Sequence, residues 1–277
     1  MEGKPGILEK QPWMMSITLL QKKEKQAMIL AKSITEAREN CTHIRHPDGR
    51  ESWVYRFFTA SADAPDQPVA FLVEKKANGI VPPHFHEVNQ FQVIAEGDGK
   101  LGKQDVQPFS MHYTNGFTGY GPITAADDGI SFFTLRNRFD SGAKYFPQDR
   151  PLMKPAPKRH RLVGPEPLSL AEALKSRETT ALETLLDTEP DGLASWFLRL
   201  GPNATTQTPS PEQGGGQYLI VAGGTLVYDG TELPKLSVVY ISPDEGSITL
   251  QAGPEGLEAL MMQFPIAEAY APASTPQ

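Results

Sequence analysis

The 277-residue chain carries 26 Lys and Arg against 33 Asp and Glu, a net charge of −7 at neutral pH. That balance excludes a nucleic-acid partner, which needs a basic face, and the single cysteine, Cys41, excludes an intrachain disulfide. No apolar run approaches the ~20 residues that a membrane helix needs, and the polar start of the chain has no signal-like apolar core, so the expected location is the cytoplasm.

The 24 glycines and 25 prolines are spread along the chain, as short strands joined by many turns require. Residues 1–45 read as an N-terminal extension, with a strand at 13–20. A short helix begins near Ser33 or Thr35, where a hydroxyl can accept from free amides and Glu36 complements the first turn. β-Branched and aromatic content predicts strands at 52–59, 69–74, 86–96 and 130–135, and Arg136 and Arg138 follow the last of these. A first barrel spans 46–145. Residues 146–178 form a Pro-rich and basic linker, whose run at 155–161 reads as solvated surface, with a short helix at 168–175. A second barrel spans 179–267, its clearest strand at 236–241, and a small polar tail occupies 268–277.

The chemistry is concentrated in Pro82-Pro83-His84-Phe85-His86. Two histidines at i and i+2 on a strand share a face, so the imidazoles converge as ligands of a first-row metal do. Val88, Gln90, Gln92 and Ile94 fall on that face by the same alternation. Farther on, His112, Tyr113 and Tyr120 are further candidates for the pocket. Arg56 and Arg136, on or beside barrel strands, would bind a substrate carboxylate if they face inward. Cys41, His43 and His46 match no closed zinc spacing and read as structural.

These residues resemble the first motif of the cupin superfamily: Gly79 leads, His84 and His86 form the pair, Gln90 stands where a glutamate is expected and Gly97 closes the motif. In the second motif Gly102 and Pro108 keep their spacing, Ser110 replaces a glycine, Tyr113 occupies the histidine position and His112 lies one residue early, where a regular strand would turn it away. A repeat supports the likeness, because 217–224 echoes 90–97 at an offset of 127. His84 and His86 then map to Pro211 and Gln213, so the second barrel lacks ligands.

The resemblance implies an all-β bicupin, two jelly-roll barrels with few short helices, and a divalent transition metal in the first barrel. Iron is the leading choice, with Mn, Ni or Zn as others. The expected ligands are His84, His86, Gln90 and His112. Tyr120 is the candidate catalytic residue, and Gln92, Arg56 and Arg136 are candidates for substrate binding. The expected activity is dioxygenase-type oxidation of an apolar or aromatic organic acid. A non-redox lyase or isomerase and a non-catalytic binding cupin are the alternatives. The expected partner is a small molecule, with homodimerisation through the N-terminal arm.

Overall fold

Two twelve-residue strands, Gln90–Leu101 and Gln217–Tyr228, stand 127 residues apart, and each is the centre of one β-barrel. The structure, a computed structural model, describes residues 27–266. The strand expected at 13–20 and the tail at 268–277 lie outside the described residues.

In chain order the first part comprises β1 (Ile29–Lys32), α1 (Ile34–Glu39), β2 (Cys41–Arg45), β3 (Glu51–Phe58), β4 (Val69–Lys75), β5 (Ile80–Val81), β6 (His84–Phe85), β7 (Gln90–Leu101), β8 (Gln104–Val106), β9 (Met111–Thr114), β10 (Ile123–Arg136), β11 (Lys144–Tyr145) and β12 (His160–Val163). The second comprises α2 (Ala171–Lys175), β13 (Ala181–Leu186), β14 (Ala194–Leu200), β15 (Thr205–Gln207), β16 (Gln217–Tyr228), β17 (Thr231–Pro234), β18 (Val238–Ile241) and β19 (Thr249–Gln263).

The first barrel is the sheet β12-β9-β7-β10-β4-β3-β2, with β5 on β10 and β8 on β7. The second is β1-β18-β16-β19-β14-β13, with β15 on β19 and β17 on β16. Both segments flanking the first barrel therefore contribute strands. β1 pairs with β18 of the second barrel, Ile29 facing Ile241, before the chain crosses to the first. The linker supplies β12, which pairs with β9. Its basic run is not simply solvated: Arg159 Nη1 lies 2.7 Å from Asp191 and Arg161 Nε 2.8 Å from Glu189. The helix start is a capping box, in which Ser33 Oγ accepts from Glu36 N at 3.2 Å and Glu36 accepts from Ser33 N at 2.9 Å.

Alternation divides each strand between two cores. Phe91, Tyr113, Phe133 and Leu135 join Phe197, Tyr218, Leu260 and Phe264 in one cluster between the barrels, with the Phe91 and Phe264 rings 4.8 Å apart, edge to face. Ile94, Ile123, Ile130 and Phe132 point the other way, into the first barrel. The second barrel's interior is filled by Trp196, Leu198, Leu219, Val221, Val239 and Met261.

The offset of 127 also governs the bends. Gly97 and Gly224, Gly129 and Gly256, and Phe109 and Leu236 are equivalent pairs, all six at positive φ. At Gly97 (φ 72°) a Cβ would lie 2.3 Å from Gly129 O, so only glycine lets β7 and β10 meet there.

Candidate metal and anion site

His84 and His86 do not sit on one continuous strand with Gln90, as the alternation predicted. His84 is on β6, which pairs with β11, Tyr145 facing His84. A turn separates His86 from β7. The convergence survives because both rings are fixed separately: His84 and His86 are 5.3 Å apart between ring centres, nearly perpendicular, and both are buried.

The partners determine the tautomers. His84 Nδ1 lies 2.7 Å from Pro82 O. A carbonyl can only accept, so Nδ1 carries the proton and Nε2 carries the lone pair. His86 Nδ1 lies 2.7 Å from Asp140 Oδ2, whose side chain is fully buried. Burial pushes the Asp140 carboxyl up, but the His86 hydrogen bond and the Arg136 charge outweigh it and hold the group at about 2. It is ionised and accepts, so His86 also presents Nε2. Burial, aided by the neighbouring His86, lowers His84 to about 4; burial and then Arg136 lower His86. Both rings are neutral near pH 7.

Tyr120 and Arg136 close the site. The Tyr120 hydroxyl lies 2.7 Å from His84 Nε2, accepts a short hydrogen bond from Gln90 Nε2, and lies 3.2 Å from Gln92 Nε2. Burial raises Tyr120 well above the ordinary tyrosine value, so it stays protonated and its proton lies toward His84. Arg136 donates to Gln90 Oε1 from Nε at 3.2 Å and from Nη2 at 3.0 Å. Its Nη2 is also 3.2 Å from both ring nitrogens of His86. An atom equidistant from both sits over the ring face and not on the in-plane lone pair of either. His86 Nε2 therefore still faces the cavity. Behind Arg136, Tyr218 Oη lies 2.9 Å from its carbonyl and 3.0 Å from that of Val69, so the second barrel positions the strand end that carries the guanidinium.

His112 faces the interior, not away from it. The ladder sets His112 against Gln92 and Tyr113 against Phe91, which sends Tyr113 into the inter-barrel core. His112 Nδ1 lies 3.2 Å from Gln92 Oε1, its ring is 5.2 Å from that of Tyr120, and burial lowers it to about 3. Arg56 is a correction: its Nη1 donates to Thr42 Oγ1 at 2.6 Å, and the residue is not part of the cavity wall. Of the Cys41, His43 and His46 group, Cys41 is exposed, His43 stacks on Trp53 at 4.5 Å, and His46 lines the cavity. Asp140 and Tyr145 escaped the sequence reading. Asp140 belongs to a turn, accepting from Gly142 N at 2.9 Å, and such a turn was the one visible signal.

The site opens into a cavity of about 290 Å³ walled by His84, His86, Gln92, Arg136 and Tyr145, by apolar Val54, Phe71, Val73, Ile123 and Phe132, and by Ser52, Lys75, His46 and Arg50. Among the described residues no three His, Cys, Asp or Glu side chains are grouped as a metal cage. An ion would rest on the two imidazole Nε2 atoms, with Gln90 Oε1 and Tyr120 Oη as neighbouring oxygens, once the Tyr120 hydroxyl gives up its hydrogen bond to His84 Nε2. Imidazoles braced at Nδ1 by a carboxylate and a carbonyl are the arrangement that metal-binding histidines use. Such a donor set is neutral, and it stands beside one fixed cation, Arg136.

No family model and no curated protein matches the sequence. Solved structures do match the fold. An oxalate decarboxylase from Lactobacillus farciminis in a formate complex is 12% identical, with a TM-score of 0.56 over 86% of each chain. A candidate dioxygenase from Nostoc punctiforme is 12% identical, with a TM-score of 0.53 over 90% of this chain and 84% of the other. The bacterial pirin YhhW from Escherichia coli, in complex with nickel(II), is 13% identical, with a TM-score of 0.52 over 87% of this chain and 100% of the other.

Proposed function

We propose that this chain, whose fold is that of the two-barrel cupins, holds a divalent transition metal on His84 and His86 of its first barrel and acts on a small organic anion. The observation that carries this reading is the double bracing of the histidines, His84 Nδ1 on Pro82 O and His86 Nδ1 on Asp140, which leaves Nε2 as the unprotonated nitrogen of each ring in one cavity wall. The nickel(II) in the pirin structure supports it. Among the described residues no helix is long and apolar enough to cross a membrane.

A bound ion would supply Lewis-acid polarisation, and iron would add redox exchange with dioxygen. The rest falls to this chain's own groups. Arg136 pairs with the carboxylate of the ligand. Asp140 holds the His86 tautomer and offsets the Arg136 charge. Tyr120 stores a proton at its hydroxyl, beside His84. The apolar wall of Phe71, Phe132 and Ile123 excludes water from the ligand's body. Dioxygenase-type oxidation of an apolar or aromatic organic acid is the favoured reaction. Lyase or isomerase chemistry on Mn, Ni or Zn is the alternative.

A second reading, a metal-free anion-binding cupin, is favoured by one observation: the Tyr120 hydroxyl already sits on His84 Nε2, beside a guanidinium that brings positive charge without an ion. Elemental analysis of untagged protein, set against the His84→Ala/His86→Ala double variant, separates the two. About one metal per chain, lost in the variant, supports the metal reading, and iron favours the oxygenase. Absence of metal in both, with a carboxylate ligand lost in Arg136→Gln, supports the metal-free reading.

A further inference from the structure

The cavity has a second polar pole that the reading above leaves unused. Lys75 is 4% exposed and faces the first-barrel interior beside Phe71 and Val73. Its ammonium donates to Ser52 Oγ at 2.6 Å and to Glu51 O at 3.0 Å, which leaves a third N–H uncommitted. Among the described residues no carboxylate forms an ion pair with it, and Asp48 acts on it only from a distance. The Glu51 carboxylate is held by His43, Arg45 and Lys76, and the exposed Asp48 by Arg50. A buried cation without a paired carboxylate is costly, and burial, then Arg50, lower the Lys75 value against a smaller opposing pull from Asp48.

The two barrels provide an internal comparison. In the first, Arg136 faces Val69 and Ile130 faces Lys75 across the β10–β4 ladder. In the second, Gln263 faces Ala194 and Leu257 faces Leu200 across β19–β14. Where the first barrel has Arg136 and Lys75, the second has Gln263 and Leu200, in an interior closed by leucine, valine and methionine. The fold does not need either cation, and the first barrel keeps both around an open cavity. The two ladder positions are six residues apart on β4, roughly 20 Å at ~3.3 Å per residue, and the wall between them, Phe71, Val73 and Phe132, is mainly apolar, with Thr134 beside them.

We propose that the ligand of this cavity is an elongated dianion, an organic acid with one carboxylate on Arg136 and a second acidic group on Lys75, joined by an apolar body. This rests on the organic-anion reading of the same site and holds with or without a metal.

Calorimetric titration of the full chain tests it, with suberate, sebacate and dodecanedioate as probes, each against the monocarboxylate of equal length. The expected result is that the best dicarboxylate binds at least about tenfold tighter than its monocarboxylate. Lys75→Met should abolish that difference while leaving monocarboxylate affinity unchanged, and Lys75→Arg should retain it. Methionine is chosen because the second barrel packs Leu200 at this position, so the variant should fold. Equal affinity of the two series in the wild type, or equal weakening of both in Lys75→Met, overturns the dianion proposal. If monocarboxylates still bind and lose affinity in Arg136→Gln, the organic-anion reading stands without it. Failure of both series to bind overturns both.

Discussion

The buried Asp140 carboxylate lies 2.7 Å from His86 Nδ1, although 54 residues separate the two. The same oxygen lies 3.6 Å from Arg136 Nη1, so one charge orients a candidate ligand and neutralises a candidate substrate group. Asp140→Asn removes the charge and keeps the shape. Loss of such a bracing partner typically lowers metal affinity 10- to 100-fold, and a fall in that range is expected for this variant when Ni²⁺ or Zn²⁺ affinity is measured by chelator competition. Unchanged affinity would mean that His86 does not hold the ion.

Tyr120 has a different part. Its hydroxyl satisfies Gln90, which is fully buried, so Tyr120→Phe leaves an amide proton unpaired and is expected to cost about 1–3 kcal/mol by chemical denaturation. Because burial keeps the phenol protonated, it is a poor ligand but a serviceable proton donor. Tyr120→Phe should therefore keep the metal stoichiometry of the wild type and lose turnover. Loss of metal together with activity would assign it as a ligand instead.

These two residues mark how far the sequence carried. Tyr120 was a candidate because Gly-Tyr-Gly-Pro follows the second motif. The repeat located both central strands, since 90 and 217 begin strands of equal length. Asp140 and Lys75 were not legible in the same way. Asp140 reaches His86 only because β11 folds back on β6, a contact that no local spacing encodes. Lys75 ends a strand as a lysine commonly does on a surface, and only the ladder shows it facing inward. For Arg56 strand position was not enough: it faces Phe71 across the β3–β4 ladder, yet its guanidinium is tied to Thr42 and does not line the cavity.

A backbone prediction follows from the crossing of β7 and β10. Gly97→Ala would place a methyl 2.3 Å from Gly129 O at φ 72°, and the contact is with backbone, which has nowhere to move. Gly246, with open space around it, serves as the control. A loss of about 2 kcal/mol or more is expected for Gly97→Ala and less than about 0.5 kcal/mol for Gly246→Ala, both from urea midpoints. Equal effects would show that the crossing tolerates a side chain and that Gly97 is not required for closure of the barrel.

Acid should unfold the metal-free protein through its histidines. His84 and His112 titrate near 6.5 in the open chain and at about 4 and about 3 in the fold, chiefly because burial disfavours the charged ring. The unfolded chain therefore binds protons that the native state refuses, and stability rises with pH across that interval. The contribution is fully present above 6.5 and is lost progressively as pH falls toward 4, at about 1.4 kcal/mol per pH unit for each histidine that charges only on unfolding. Asp140, ionised in the fold down to about 2 against an ordinary 3.8, adds a second loss below pH 4. Denaturant midpoints measured from pH 7.5 to 4.5 should fall steadily, and His112→Asn should reduce the slope by about one proton's worth. A flat profile, or a slope unaltered in His112→Asn, would show that the buried imidazoles are solvated in the native protein and that the site is more open than its packing indicates.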